Sequence, residues 1–358
     1  MANWLVVSPN GFGNIGDDMV ANAGRFAISQ VDPDAKIKLS RPPASEKLID
    51  WADNVILSGG GIIYDRAPKN LENYMDYIDL AHRKGKKSAV LGVGIQGIVT
   101  EEGKRRYKES LDKCEFVSVR TEKDKQMLAD IGYTKAHATF DIAFLTPKCA
   151  SYTEPKLRWT RVRKRQKLRV ELASSQKPKV GICMINLRML KGDSYEGVFS
   201  RFDEVIEEFI KSGRSKFDIY MIQHAKEDGD LMQKLAKRYD IPFVPYKNLD
   251  DLESTFNVYR HLDLMIGVRL HSIALGLMTD TPTIAIGSAH AKQKRLVDYA
   301  VPSMKENFYD FKDVEALSER LTKIANSGEI DVKPISKKDK ETIYRLNEEN
   351  LDLLRTLL

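Results

Sequence analysis

The chain is 358 residues long, 42% hydrophobic and 30% charged, a balance that suits a globular protein with two sizeable cores and argues against disorder. Its net charge is +6, but residues 156–169 hold eight basic side chains and no acidic one, and setting those eight aside leaves −2. The positive charge is therefore a local belt, not the diffuse footprint of a nucleic-acid-binding domain, and no aromatic ladder beyond Trp159 accompanies it for base stacking.

Short runs rich in Val, Ile and Leu, bounded by turn residues, predict strands over residues 4–8, 36–40, 55–58, 88–93 and 116–119. Helices are expected between them over 17–29, 71–83, 101–112 and 122–131. Residues 4–7 are too short for a signal-peptide core and follow no basic segment. Such alternation implies parallel βαβ units with both faces of the sheet covered. In these sheets ligands bind beyond the carboxyl ends of the strands, where loops enter helices.

Polar and glycine-rich loops stand at those ends. Gly11-Phe12-Gly13-Asn14-Ile15-Gly16-Asp17-Asp18 follows the first strand. Its spacing is that of a dinucleotide loop, but two carboxylates would repel a pyrophosphate. Asp17 and Asp18 suit either the first turn of a helix or the binding of acceptor hydroxyls. Ser58-Gly59-Gly60-Gly61, with Tyr64 and Asp65 beyond, and Gly92-Val93-Gly94-Ile95-Gln96-Gly97 permit close approach of a backbone or a ligand. Arg120 arrives at the same edge, either to pair with a helix carboxylate or to hold an anion.

The belt at 156–169 reads as a solvated linker or exposed helix, or as a segment attracted to an anionic membrane surface or acidic polymer. Beyond it the βα rhythm restarts, with strands expected over 180–185, 217–222, 241–244, 262–268 and 283–286. Helices are expected over 201–211, 230–238, 252–259, 271–278 and 313–325, with a closing helix from about 337 to 358. The reading is thus α/β, two Rossmann-like domains facing a cleft. The N-terminal domain spans 1–150, the basic linker 151–177, the C-terminal domain 178–330 and the terminal helix 331–358. No run is long enough to span a membrane. Three scattered cysteines, Cys114, Cys149 and Cys183, indicate neither disulfides nor a zinc cluster.

In the second half, Arg269-Leu270-His271 opens a helix directly after an apolar strand. Backbone N–H groups there favour an anion, arginine adds a forked donor, and histidine exchanges protons near neutral pH. The next loop carries His290, Lys292 and Lys294. Gln223-His224 and Asp228 follow another strand, as structural residues or as part of the same rim. Walker, HExxH and GxSxG motifs are absent.

These motifs, in order from about residue 3 to 300, resemble the polysaccharide pyruvyl transferase family. Gly13-Asn14-Ile15-Gly16-Asp17-Asp18, Ser58-Gly59-Gly60-Gly61 with Asp65, Gly92-Val93-Gly94-Ile95-Gln96-Gly97, Val117-Ser118-Val119-Arg120 and Asp141-Ile142-Ala143-Phe144-Leu145 carry it in the first half. Gln223-His224 with Asp228, and Gly267-Val268-Arg269-Leu270-His271 leading to Thr281-Pro282, carry it in the second. The resemblance implies a GT-B-like fold and transfer of the pyruvyl group of phosphoenolpyruvate to two sugar hydroxyls, as a cyclic ketal, with release of phosphate.

It further implies that Arg269 and Arg120 hold the phosphate and carboxylate, with His224 and Lys292 or Lys294 also on the donor side, and that His271 is the general acid. Asn14, Asp17, Asp18, Gly60, Gly61 and Asp65 would face the acceptor. No metal and no cofactor besides the co-substrate is expected. The expected partner is a sugar or polysaccharide, lipid-linked or not, with no nucleic acid. The expected location is the cytoplasm, with residues 156–169 as a candidate contact to an anionic inner membrane face; the oligomeric state is left open. Gly287-Ser288-Ala289-His290 departs from the family, which often has a tyrosine there, so the register of the lysine stays open. The alternatives are a GT-B glycosyltransferase using a nucleotide sugar and a non-catalytic binding protein of the same fold.

Overall fold

The computed structural model describes residues 1–146, 176–186, 196–248, 251–288 and 291–358. Cys149, the belt at 156–169 and His290 lie outside the described residues. The chain forms two units, one drawn from residues 1–12, 16–152 and 340–358, the other from 13–15 and 153–339.

In the first unit the chain runs β1 (Asn3–Val7), α1 (Ile15–Val31), β2 (Lys36–Ser40), α2 (Glu46–Trp51), β3 (Asn54–Ser58), β4 (Ile63–Tyr64) and α3 (Pro68–Arg83). It continues through β5 (Lys87–Val93), β6 (Ile95–Gly97), α4 (Glu101–Leu111), β7 (Val117–Val119), α5 (Glu122–Ala129) and β8 (His137–Ala138). Six strands form a parallel sheet in the order β2-β1-β3-β5-β7-β8, and β4 pairs with β6 beside it. Every residue of β3 is buried, as are the last six of β5. That is why these strands read as unbroken apolar runs. Helix starts follow local chemistry: Pro68 opens α3, and the hydroxyls of Thr100 and Thr121 accept the N–H groups of Gly103 and Asp124 to cap α4 and α5. Leu5, Val55, Val90 and Val117 from the sheet pack with Tyr77 and Ile78 of α3.

The second unit holds β9 (Lys179–Cys183), α6 (Glu196–Gly213), β10 (Asp218–Ile222), α7 (Gly229–Tyr239), β11 (Phe243–Val244), α8 (Leu252–Tyr259) and β12 (Leu264–Gly267). Then come α9 (Leu270–Met278), β13 (Thr283–Gly287), α10 (Lys292–Ala300), β14 (Phe308–Asp310) and α11 (Val314–Ser327). The parallel order β11-β10-β9-β12-β13-β14 is the 3-2-1-4-5-6 arrangement of dinucleotide-binding domains. Phe199 and Phe202 of α6 meet Phe311 edge-on, with ring centroids 5.6 and 5.5 Å apart. The closing helix α12 (Lys337–Arg355) leaves the second unit at Asp339, and the rest of it belongs to the first.

The topology marks one place on each sheet. In the second unit, successive strands build outward from β9 to β11 and then return on its other side at β12, so the switch point lies between β9 and β12. In the first it lies between β1 and β3. Arg269-Leu270-His271 follows β12, and the two N-terminal glycine loops follow β1 and β3. The stretch carrying Lys292 and Lys294 is not the loop that the sequence suggests. It is helix α10, whose Leu296, Val297 and Ala300 are buried at helical spacing.

Candidate active site

The chain leaves β12 through Val268, whose N–H donates to the carbonyl of Cys183 at the end of β9 (3.0 Å). The turn thus starts at the switch point. Arg269 is the extended N-cap of α9, and its carbonyl accepts the N–H groups of Ser272 and Ile273 (3.0 and 3.2 Å). The Arg269 side chain makes no capping hydrogen bond at this helix start.

The Arg269 guanidinium is held in a fork. Nε donates to Asp228 Oδ2 (2.8 Å), Nη2 to Asp228 Oδ1 (2.9 Å) and Nη2 also to Glu227 Oε1 (2.8 Å). Asp228 is fully buried and additionally accepts the N–H of Asn186 (2.9 Å). One carboxylate therefore joins the loops that follow β9, β10 and β12. Burial opposes the charge on Arg269, but Asp228 and Glu227 outweigh it and raise the guanidinium's pKa further. Among the described residues Nη1 has no hydrogen-bond partner.

His224 follows β10 and is 1% exposed. Its Nε2 lies 2.8 Å from the Tyr259 hydroxyl, and its buried Nδ1 has no hydrogen-bond partner among the described residues. Burial, then the fields of His271 and Arg269, push its pKa well below the ordinary imidazole value. Burial likewise holds the Tyr259 phenol well above its ordinary value. His224 is neutral and Tyr259 protonated at neutral pH. His271, the second residue of α9, is half-buried. Arg269, His271, His224 and Asp228 thus form one cluster. Gln223 is spent locally, its Nε2 donating to the Ala225 carbonyl and its Oε1 accepting the Tyr246 N–H (3.1 and 3.3 Å).

Asn14, expected on the acceptor side with Asp17 and Asp18, groups with the second unit. It forms an antiparallel bridge with Ala225, and the Ile15 N–H donates to the His224 carbonyl (2.9 Å). Lys292 is the exposed first residue of α10, whereas Lys294 pairs with Asp298 one turn along and lies 5.7 Å from the Phe308 ring. Between them, Gln293 donates to the Val268 carbonyl (2.7 Å), tying α10 to the turn that presents Arg269. Sequence reading missed Gln293, and no local pattern marks it. Cys183, buried beneath the same turn, has its thiol pushed up to about 12 by burial and is inert.

In the first unit the singled-out residues hold its own loops. Asp65 is buried and accepts the N–H groups of Val99 and Thr100 (2.9 and 2.7 Å) and the Thr100 hydroxyl (2.7 Å). Burial pushes its carboxyl up, but those donors outweigh it and hold the pKa below the ordinary value. Asp18 is buried and accepts the Gly11 N–H (2.8 Å), closing the loop after β1, while Asp17 lies in the first turn of α1. The carbonyl of Gly60 accepts the Gly94 N–H (2.8 Å), and that of Gly61 accepts the Gln96 amide.

Two glycines nearby have steric reasons. A Cβ on Gly59 (φ +55°) would come within 2.4 Å of Val20, and one on Gly92 (φ +59°) within 3.1 Å of the Phe140 carbonyl. Here the close approach is by the protein itself.

Arg120 is 5% exposed. Its Nε lies 2.9 Å from Asp141 Oδ2, while Nη2 is buried without a hydrogen-bond partner. Of the two roles open to Arg120 from sequence, carboxylate pairing is present, with Asp141 capping a 3-10 turn (Ala143 N–H, 3.0 Å) in place of a helix carboxylate. Asn350 of α12 supports this corner. Its Oδ1 accepts the hydroxyls of Ser118 and Thr139 (both 2.8 Å), and its Nδ2 donates to the Phe140 carbonyl (3.2 Å).

A family model for polysaccharide pyruvyl transferases matches residues 14–290. The chain belongs to the polysaccharide pyruvyl transferase family. The match covers Arg120, His224, Arg269 and His271 and ends just before Lys292 and Lys294. No curated protein gives a significant sequence match. The UDP-GlcNAc 2-epimerase of Neisseria meningitidis, solved with UDP-GlcNAc, is similar in structure, with TM-score 0.59 and 11% identity over 98% of this chain and 99% of that one. The Methanocaldococcus jannaschii UDP-GlcNAc 2-epimerase gives 0.56 and 11% over 97% and 100%. S. aureus MnaA, solved with UDP, gives 0.53 and 8% over 99% and 98%.

At such identities the likeness shows the fold, which this pyruvyl transferase family member shares: mixed α/β, two Rossmann-like units of the GT-B-like kind. Among the described residues no helix is long and apolar enough to cross a membrane, and no group of His, Cys, Asp or Glu is placed to hold a metal ion.

Proposed function

We propose that the protein transfers the pyruvyl group of phosphoenolpyruvate to two hydroxyls of a sugar in a polysaccharide or its precursor. The observation that carries this reading is the Arg269–His271–His224 cluster at the switch point of the second unit, in a chain of this family. Arg269 stays charged and correctly aimed because Asp228 holds two of its nitrogens. With Nη1, at the N-terminus of α9, it offers a donor to a phosphate or carboxylate.

His271 stands one residue into that helix, where its imidazolium can give a proton to the enol methylene. A bound trianion favours the imidazolium, so the acid is charged when substrate is present. The proton goes to C3, C2 becomes electrophilic, the first sugar hydroxyl bonds to C2 as its proton returns to His271, and the C2–O bond to phosphate then breaks, the electron pair leaving with the phosphate. The second hydroxyl then closes the ketal and loses its proton. General acid catalysis of this kind contributes about 10²–10⁴-fold.

The reading takes the protein to be a cytoplasmic enzyme of polysaccharide synthesis needing no cofactor besides this co-substrate. The likeness to enzymes solved with UDP and UDP-GlcNAc favours one second reading, a nucleotide-sugar glycosyltransferase.

Calorimetric titration with phosphoenolpyruvate and with UDP separates the two readings, and phosphate release in the presence of candidate sugars follows turnover. Binding of phosphoenolpyruvate that survives His271→Asn, with turnover lost, is the expected result. Binding of UDP without phosphoenolpyruvate, or undiminished turnover by His271→Asn, overturns it.

A further inference from the structure

We propose that Tyr259 fixes His224 as its Nδ1–H tautomer, making that nitrogen a neutral donor to the phosphate oxygens of the ligand held at Arg269 and the start of α9. Tyr259 is thereby a positioning residue that acts through His224.

The argument begins with the two buried groups and their possible partners. Tyr259 and His224 share one hydrogen bond, 2.8 Å between the phenol oxygen and Nε2. If Nε2 carried the proton, the phenol O–H would have no acceptor and the Nδ1 lone pair no donor, leaving two buried polar groups unsatisfied. If the phenol donates, Nε2 is satisfied and the one group left over is Nδ1–H. The second arrangement costs less, since each unmet buried group costs about 1–3 kcal/mol. The neighbourhood agrees. Arg269 and His271 are the groups whose fields reach His224, and both can donate hydrogen bonds. A bare Nδ1 lone pair would suit such donors, yet none bonds to it.

The phenol is itself held in place. Thr281 Oγ1 donates to the Tyr259 carbonyl (2.8 Å) and lies 2.8 Å from Thr279 Oγ1, which pins the end of α8. On the far side of His224, its carbonyl is fixed by the Ile15 N–H. The ring therefore cannot turn away without breaking buried contacts. A buried N–H held still with no acceptor among the described residues is the mark of a donor kept for a ligand. Because it is neutral, it adds a bond beside Arg269 without a second buried charge.

The inference rests on the pyruvyl-transfer reading only for the choice of phosphate, so the test uses inorganic phosphate and the full-length protein. Nitrogen-15 NMR of labelled histidine should show His224 with Nδ1 protonated and Nε2 bare in the wild type, and mixed tautomers in Tyr259→Phe. Phosphate affinity by calorimetry should fall about 10-fold in Tyr259→Phe, the loss expected for a hydrogen bond to a charged group. In His224→Ala the donor itself is gone, so phosphate affinity should again fall about 10-fold, and adding Tyr259→Phe should change nothing more.

A wild-type His224 protonated on Nε2 overturns the inference. So does an equal loss from Tyr259→Phe in both backgrounds, which would mark Tyr259 as purely structural, or a wild type that does not bind phosphate. Absence of turnover with phosphoenolpyruvate would count against the pyruvyl-transfer reading and leave the tautomer and its phosphate contact standing.

Discussion

Replacing Asp228 by Asn keeps the side chain's shape and removes one negative charge from a fully buried position. Asp228 accepts from Arg269 Nε, Arg269 Nη2 and the Asn186 N–H. An amide at that place has one acceptor oxygen, and its NH2 group must point at one of those donors. Breaking one partner of a buried pair costs about 3–5 kcal/mol because the other charge stays behind uncompensated. Glu227 remains 2.8 Å from Nη2, but its side chain is 42% exposed and replaces little of what is lost.

About 3 kcal/mol is therefore the expected loss, or a fall in Tm of about 6–12 °C for a unit of this size. Thermal unfolding followed by circular dichroism reads it directly. Glu227→Gln serves as the comparison and should fall by no more than about 2 °C. The double variant Asp228→Asn with Arg269→Gln removes the stranded charge and should recover part of the stability, since neither buried group is then ionised. If Asp228→Asn melts within 2 °C of the wild type, the carboxylate is not holding the three loops together, and the account of how Arg269 stays aimed is wrong.

Asn350→Ala should cost about 2 kcal/mol in urea unfolding, because the hydroxyls of Ser118 and Thr139 and the Phe140 carbonyl lose a buried partner. A loss below about 0.5 kcal/mol would remove α12 from the support of the Arg120 corner. Asp65 makes a pH-dependent contribution, since its carboxyl is held below the ordinary value of 3.8 in the folded chain. Its stabilisation is complete above the unfolded pKa and is lost as pH falls through the lower folded pKa. The stability gap between wild type and Asp65→Asn should thus be full at pH 7 and shrink below about pH 4. A gap that stays constant from pH 7 to pH 3 contradicts the carboxylate's role.

The alternation of strands and helices was legible because every long element carries its own signal. Residues 54–58 are buried throughout and contain Val, Ile and Leu, while α4 and α5 announce themselves by Thr100 and Thr121. Elements of two or three residues, such as β4, β6 and β8, have too few side chains to form a pattern. Helix α10 was hidden for another reason: its first turn is basic and polar, and its apolar positions come late. Within the site, Arg269 and His271 were visible because they are two residues apart after a strand. Their partners were not, since Asp228 lies 41 residues from Arg269 and Tyr259 lies 35 from His224. Pairing at that distance is decided by which strand ends become neighbours in the sheet, and a single sequence does not display it.

That difference changes what the site asks of a ligand. Read as a list of residues, the second unit offers a crowd of cations and imidazoles, as suited to a pyrophosphate as to a single phosphate. Folded, Lys294 is paired with Asp298, and Asp228 and Glu227 hold two of the nitrogens of Arg269. Among the described residues, neither Nη1 of Arg269 nor the buried Nδ1 of His224 has a hydrogen-bond partner. These are few donors with fixed directions, and rigid donors discriminate by geometry more than by charge. On the proposed reading, a compact tetrahedral oxyanion meets both and His271 handles the proton. The cost of keeping Arg269 and His224 in place falls on Asp228 and Tyr259, which touch no ligand, so these two are the residues through which binding can fail while every expected site residue is still present.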